Sequence, residues 1–255
     1  MLSKNQVKYL HSLRLAKFRD QNQVFLAEGI KLTDEILKSH FKVQQVFGTG
    51  TWFEKNSQLL EGRSVFTQEV TGDELKKISN LVTPNEVLAV VCYPQNPLPS
   101  LDSCGKLALI LDRIQDPGNL GTIIRTADWF GIKHIFCSED SADIYNPKVI
   151  QSTMGSICRV NVHYIDIKKL LPDIRSTWHI YGTIPGGENI YGSELLFPAA
   201  VLIGNESRGI AEEHLPFLTQ KIGIPSYSEG AESLNASVAA GIIVAEFVRR
   251  LDHGS

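Results

Sequence analysis

LALILDRIQDPGNLGTIIRTADWFGIKHIFCS, residues 107 to 138, reads as strand, turn, helix and strand in immediate succession. LALILD (107–112) is an apolar run of the length and composition of a strand buried on both faces of a parallel sheet. Asp116-Pro117-Gly118 is turn chemistry, and Asn119 stands where it caps a helical stretch from 119 to 130. HIFCS (134–138) is then a second strand of the first kind. Two such strands joined through one helix with short connections are a parallel crossover.

The pattern repeats outward. ICRVNVHY (157–164), WHIYGTI (178–184), AVLIGN (200–205) and KIGIP (221–225) read as further strands, with helical patterns over 146–154, 166–176, 210–218 and about 234–250. This predicts an α/β domain with a parallel sheet and helices on both faces. Upstream, YPQNPLPSLDS (93–103) holds three prolines and suits neither helix nor sheet, so it reads as a linker. Before it, residues 4–18 have a helical period, VFLAEG (24–29), VQQVFGT, SVFTQ and EVLAVVCY read as strands, and IKLTDEILKS, TWFEKNSQ and TGDELKKISN read as helices, the last capped by Thr71. The expected organisation is a small α/β domain (1–92), a linker (93–103) and a larger α/β domain (104–255).

Composition narrows the function classes. With 43% hydrophobic and 21% charged residues in 255, the chain has the balance of a soluble globular protein, and no apolar run is long enough to span a bilayer. The charged start, MLSKNQVKYLHSLRLAKFRD, lacks the apolar region of a secretory signal, so a cytoplasmic location is expected. Cys92, Cys104, Cys137 and Cys158 are widely spaced and the histidines dispersed, which predicts reduced thiols and no metal site. The net charge of −3 is uneven: residues 1–98 hold twelve Lys and Arg against ten acids, with Lys4, Lys8, Arg14, Lys17, Arg19 and Lys31 concentrated at the start. Such a segment suits a phosphate backbone, and equally a solvated helix face.

The common nucleotide fingerprints are missing. GTGTWF (48–53) lacks the third glycine of a dinucleotide loop, and neither a phosphate-loop G-x-x-x-x-G-K-[ST] nor a hydrolase G-x-S-x-G occurs. Instead, three segments, DPGNLGTIIRTADWFGI (116–132), VLIGNESRGI (201–210) and IPSYSEGAESLNASVAAG (224–241), place glycines and polar residues where apolar strands end. In an open α/β sheet such ends converge on one ligand site. Asn119 and Arg125 are six residues apart, about 120° around a helix. An arginine near a helix start opposes the macrodipole, which favours an anion or substrate contact over a structural role. Gly204 and Gly209 allow close backbone approach or positive φ around Glu206. Ser233 and Asn235 precede a stretch dense in small residues, and either suits a helix cap.

In order and spacing these segments resemble the three motifs of the SpoU family of RNA ribose 2′-O-methyltransferases, N-x-G-x-x-x-R, G-x-E-x-x-G and S-L-N-x-S-x-A. The resemblance spans about residues 105–251, while residues 1–92, with FLAEGIKLTDEIL, are similar to the small L30-like substrate-binding domain that many members carry in front. It implies the SPOUT fold, with a C-terminal trefoil knot that binds S-adenosylmethionine. It further implies an RNA substrate, ribosomal favoured over transfer, and a homodimer. Asn119, Arg125, Glu206, Ser233 and Asn235 then line the reaction site, and Thr183, Gly204, Asn205, Ile224 and Leu234 hold the cofactor. The third motif departs by Ala236 where Val is common and by Tyr227-Ser228-Glu229 in a loop that often runs I-P-M-x-G. Methylation of an RNA base nitrogen, or RNA binding without catalysis, are the alternatives on the same fold.

Overall fold

The computed structural model describes residues 1–83, 85–228, 230 and 233–253. The helices are α1 (Lys4–Ser12), α2 (Ala16–Asn22), α3 (Ile30–Lys38), α4 (Gly50–Leu60), α5 (Gly72–Ile78), α6 (Pro117–Trp129), α7 (Pro147–Thr153), α8 (Ile167–Ile174) and α9 (Ala236–His253). The strands are β1 (Val24–Glu28), β2 (Val43–Gly48), β3 (Phe66–Glu69), β4 (Val87–Cys92), β5 (Leu107–Leu111), β6 (His134–Ser138), β7 (Asn161–Ile165), β8 (His179–Asn189), β9 (Ala199–Ile203) and β10 (Gln220–Gly223). The chain divides into two compact units, one of Met1–Gln95 with Asp143–Cys158 and one of Asn96–Ala142 with Arg159–Ser255. Among the described residues no helix is long and apolar enough to cross a membrane, and no cluster of His, Cys, Asp and Glu suits a metal ion.

The first unit is a four-stranded sheet in the order β1-β4-β2-β3. Its strands alternate in direction except for the parallel pair β2 and β3. Thr71 caps α5 through a capping box with Glu74, as its position predicts. The expected helix over 4–18 is instead two helices, because the buried Arg19 guanidinium takes the carbonyls of Leu13 (3.0 Å) and Arg14 (2.7 Å) at the break. The segment Asp143–Cys158 is built into this unit: Asp143 pairs with Arg19, Tyr145 stacks on Tyr93 at 3.9 Å, and Gln151 Nε2 donates to the Glu28 carbonyl at 2.7 Å.

The second unit is a six-stranded sheet in the order β10-β8-β9-β5-β6-β7, parallel throughout. β5 and β9 are buried at every position, as their apolar runs require, and Ile110, Phe136, Ile180, Ala200 and Leu202 share one core. Burying one such Leu, Ile or Phe side chain contributes about 1.5–3 kcal/mol. Two elements differ from expectation. The run ICRVNVHY becomes a strand only from Asn161, after left-handed Met154 (φ 50°) and Gly155 (φ 95°) turn the chain into a 3-10 turn at Ser156–Cys158. The pattern at 210–218 is a 3-10 helix, Glu212–Phe217, since Pro216 has no N–H to give to an α-helical bond. After β5 the chain builds β6 and β7 to one side, then crosses to lay β9 against the other. The sheet's order reverses between β5 and β9, the place where open α/β sheets bind ligands.

Candidate active site

β5 and β9 end level at this reversal, Leu111 pairing with Ile203, and Thr183, midway along β8, pairs with Ile203 from the other side. Asp112 N donates to Ile203 O at 2.8 Å just beyond. From here the chain enters α6 after β5 and the 204–210 loop after β9. The cap of α6 is Asp116, whose side chain accepts from Asn119 N at 2.8 Å; the sequence assigned that cap to Asn119. Asn119 lies inside the first turn with its side chain released from capping and nearly buried, at 9% exposure.

That release makes Asn119 the junction of the three segments. Its Nδ2 donates to Glu206 Oε1, and its Oδ1 accepts from Asn235 Nδ2 at 2.9 Å. Asn235 Oδ1 in turn accepts from Ser237 N (3.0 Å) and Ser237 Oγ (2.6 Å), so Asn235 also caps α9. Residues 119, 206 and 235 thus form one hydrogen-bonded row from three distant stretches of sequence. The amide of Asn119 is held by an acceptor on one side and a donor on the other, which leaves it one orientation.

The glycines around Glu206 have separate reasons. A Cβ on Gly204 would stand 2.3 Å from the Gly209 carbonyl carbon, while Gly209 itself has φ 66°. They let Asn205 and Gly209 exchange backbone hydrogen bonds of 2.9 and 3.1 Å across the turn that carries Glu206. Asn205 Nδ2 donates to Arg113 O at 2.9 Å, and its Oδ1 accepts from Ser207 N (2.9 Å) and Arg208 N (3.1 Å). Beside it, Gly187 and Gly223 bring β8 and β10 together so closely that a Cβ on Gly187 would lie 2.6 Å from the Ile222 carbonyl carbon. Thr183, Gly204 and Ile224 are half-buried along this rim. Bare backbone between close-set strand ends suits a flat ring laid against main chain, so the residues present fit an adenine-bearing cofactor.

Not every expected residue joins the row. Arg125 is exposed and makes no hydrogen bond or ion pair with the described residues. It stands two turns inside α6, which begins at Pro117, so the macrodipole argument from a helix start does not apply to it. Ser233 and Leu234 are exposed, and Glu229, Ala231 and Glu232 of the same segment lie outside the described residues. Sequence reasoning also passed over Asp112, a carboxylate at 1% exposure that lies 3.2 Å from Nδ1 of buried His214. An acid closing the apolar run LALIL was the available signal.

Residues 106–245 match the model of the SpoU rRNA Methylase family, and residues 4–89 match that of the MRM3-like substrate binding domain. The chain belongs to the SpoU family. It is 32% identical over 256 residues to an uncharacterized tRNA/rRNA methyltransferase of Synechocystis, covering 96% of this chain and 90% of that protein. Against the 23S rRNA (guanosine(2553)-2′-O)-methyltransferase RlmP of Bacillus subtilis it is 31% identical, covering 95% of this chain and 96% of the relative. The structure of an AdoMet-bound rRNA methyltransferase from Sinorhizobium meliloti superimposes with a TM-score of 0.86 at 27% identity, covering 98% of this chain and 96% of the other. SpoU membership thus covers the whole second-unit sheet, including all three segments of the Asn119 row.

Proposed function

We propose that this chain is an S-adenosylmethionine-dependent methyltransferase that places a methyl group on a ribose 2′-hydroxyl of RNA, ribosomal RNA in preference to transfer RNA. The observation that carries it is the Asn119–Glu206–Asn235 row at the sheet's point of reversal. The ribose-specific name of the RlmP relative and the AdoMet-bound neighbour support both halves of the assignment.

In this proposal Thr183, Gly204, Asn205, Ile224 and Leu234 hold the cofactor against main chain. When bound, it supplies a methyl on a positively charged sulfur. Asn119, Glu206, Ser233 and Asn235 line the acceptor side, where fixed orientation of a hydroxyl accounts for much of the acceleration. Arg125, free of described partners, approaches the hydroxyl oxygen. A guanidinium stays protonated far above neutral pH, so it acts by stabilising the charge that develops on the hydroxyl oxygen as the S–CH3 bond breaks and the O–CH3 bond forms, while the hydroxyl proton passes to solvent water. Residues 1–92 serve RNA binding, 93–103 link, and 104–255 carry the chemistry, with the C-terminal path threaded into the family's knot and the protein acting in the cytoplasm.

The proposal includes a homodimer. Val238 on α9 is 50% exposed and Trp129 on α6 is 84% exposed, on two helices that pack together. Apolar surface of this kind on neighbouring helices suits an interface. Sedimentation should give twice 28.3 kDa at micromolar concentration, and a monomer refutes the dimer. For the reaction, ribosomal RNA methylated with labelled cofactor should yield label in 2′-O-methyl nucleosides after digestion. Label on a base overturns the assignment while leaving the fold untouched.

A further inference from the structure

The turn that carries Glu206 is tied at both ends to a single residue, Arg113. Its carbonyl accepts from Asn205 Nδ2 at 2.9 Å, and its Nη2 donates to Gly209 O at 3.3 Å. The guanidinium is itself anchored, since Nε donates to Asp112 Oδ1 at 3.1 Å. The other carboxylate oxygen of Asp112 accepts from Ala211 N at 2.6 Å and lies 3.2 Å from His214 Nδ1, fixing the far side of the same loop. Arg113 N donates to Ser138 Oγ at 2.8 Å, which sets this backbone against the end of β6. Arg113 also holds φ 58°, a left-handed conformation that glycine adopts far more readily than a residue with a Cβ. A strained non-glycine residue at the edge of a site points to a use for its side chain.

We propose that Arg113 is a positioning residue: anchored on Asp112, it pre-orders the 204–210 loop in the conformation that accepts the cofactor. The proposal rests on the cofactor assignment above. When only a fraction of molecules hold the competent loop, apparent affinity falls by that fraction, while turnover of the filled site is little changed. Arg113 therefore governs cofactor affinity without touching the reacting atoms.

Arg113→Gly separates this role from a structural one, because glycine relieves the left-handed backbone and leaves Asp112 its bonds to Ala211 and His214. The full chain carrying R113G should melt no lower than the wild type without ligand. Amides of residues 205–211 should exchange hydrogen faster in the ligand-free variant. S-adenosylmethionine should bind it ~10-fold more weakly by calorimetry, the size of one charge-assisted hydrogen bond. KM for cofactor should rise in step, with kcat at saturation within about a factor of two. Arg113→Lys, which keeps a cation beside Asp112 without the fork, should fall between the two. Unchanged exchange and affinity overturn the proposal, as does a lowered melting temperature as the sole change. A rise confined to the KM for RNA makes Arg113 a substrate contact instead and overturns it too. A wild-type protein that binds no S-adenosylmethionine fails the functional assignment itself, whereas a binding wild type with an indifferent R113G fails only the positioning role.

Discussion

Asn119 bonds both to Glu206 and to Asn235, so the loss of either partner leaves a nearly buried amide half satisfied. Asn235→Ala removes two things, the bond to Asn119 and the cap on α9. Loss of the cap alone costs about 1 kcal/mol, or about 2–4 °C in a domain of this size. Calorimetry should register that shift together with reduced turnover, and an unaltered melting curve would contradict the capping geometry. Arg125→Ala should behave oppositely. An exposed side chain with no described partner contributes within about ±0.5 kcal/mol to stability, but removing one group that stabilises developing charge costs ~10²- to 10³-fold in rate. Cofactor affinity should hold while kcat collapses; an R125A enzyme with wild-type kcat removes Arg125 from the mechanism. At this scale motif spacing picked out Asn119, Glu206 and Asn235, which the structure brings into one row, and it misplaced Asn119 and Arg125 relative to the helix start. Asn119 left its capping duty to Asp116, and Arg125 sits too deep in α6 to feel the helix start, because both depend on where the helix begins and not on residue type.

Among elements, the loop after β9 is the least tolerant of added volume. Gly204→Ala would push a methyl group against the Gly209 carbonyl carbon at 2.3 Å, and backbone cannot yield as a side-chain tip can. Overpacking of this kind costs about 1–3 kcal/mol, and the turn holding Glu206 should open. The expected result is a lower melting temperature with cofactor binding reduced; full retention of both would show that the turn can move aside. β7 offers a test by pH. His163 is buried at 5% exposure beside Phe136, and its Nε2 lies 3.1 Å from His134 Nδ1. Burial first, and the neighbouring His134 second, hold its pKa down to about 4. The unfolded chain takes up this proton near pH 6.5, the folded chain only near 4, so stability falls as pH drops through that window. His163→Gln should therefore lose less melting temperature than the wild type between pH 6.5 and 4. Parallel curves for the two proteins would exclude the imidazole as the source.

Across the molecule, the basic start of the chain proves smaller as an RNA-facing surface than its sequence suggests. Arg19 is buried against Asp143, and the exposed Arg14 is tied by Nη2 to Ser79 O, so Lys4, Lys8, Lys17 and Lys31 are the exposed cations without such a tie among the described residues. Replacing these four lysines by Gln should weaken RNA binding and flatten its salt dependence by ~0.7–0.9 in log–log slope for each phosphate no longer neutralised. Cofactor affinity should stay as it was; an unchanged slope would move the RNA surface elsewhere. Point changes are the better probe, because deleting residues 1–92 would strip Asp143–Cys158 of the unit it packs in. The sequence by itself determined where most strands and helices lie, with 4–18, 157–160 and 210–218 the exceptions, that the strands of the larger sheet run parallel, and which three segments carry the candidate site. Those features follow from the period of apolar residues and the chemistry of turns, which act over a few neighbours. Only the tertiary structure decided the strand order that places β9 against β5, the membership of Asp143–Cys158 in the first unit, the burial of Arg19, and the Asp112–Arg113 hold on the Glu206 turn. Each of these joins residues more than fifty positions apart, and no local pattern specifies a partner at that distance: register, burial and hydrogen-bond pairing are set when the chain's surfaces meet.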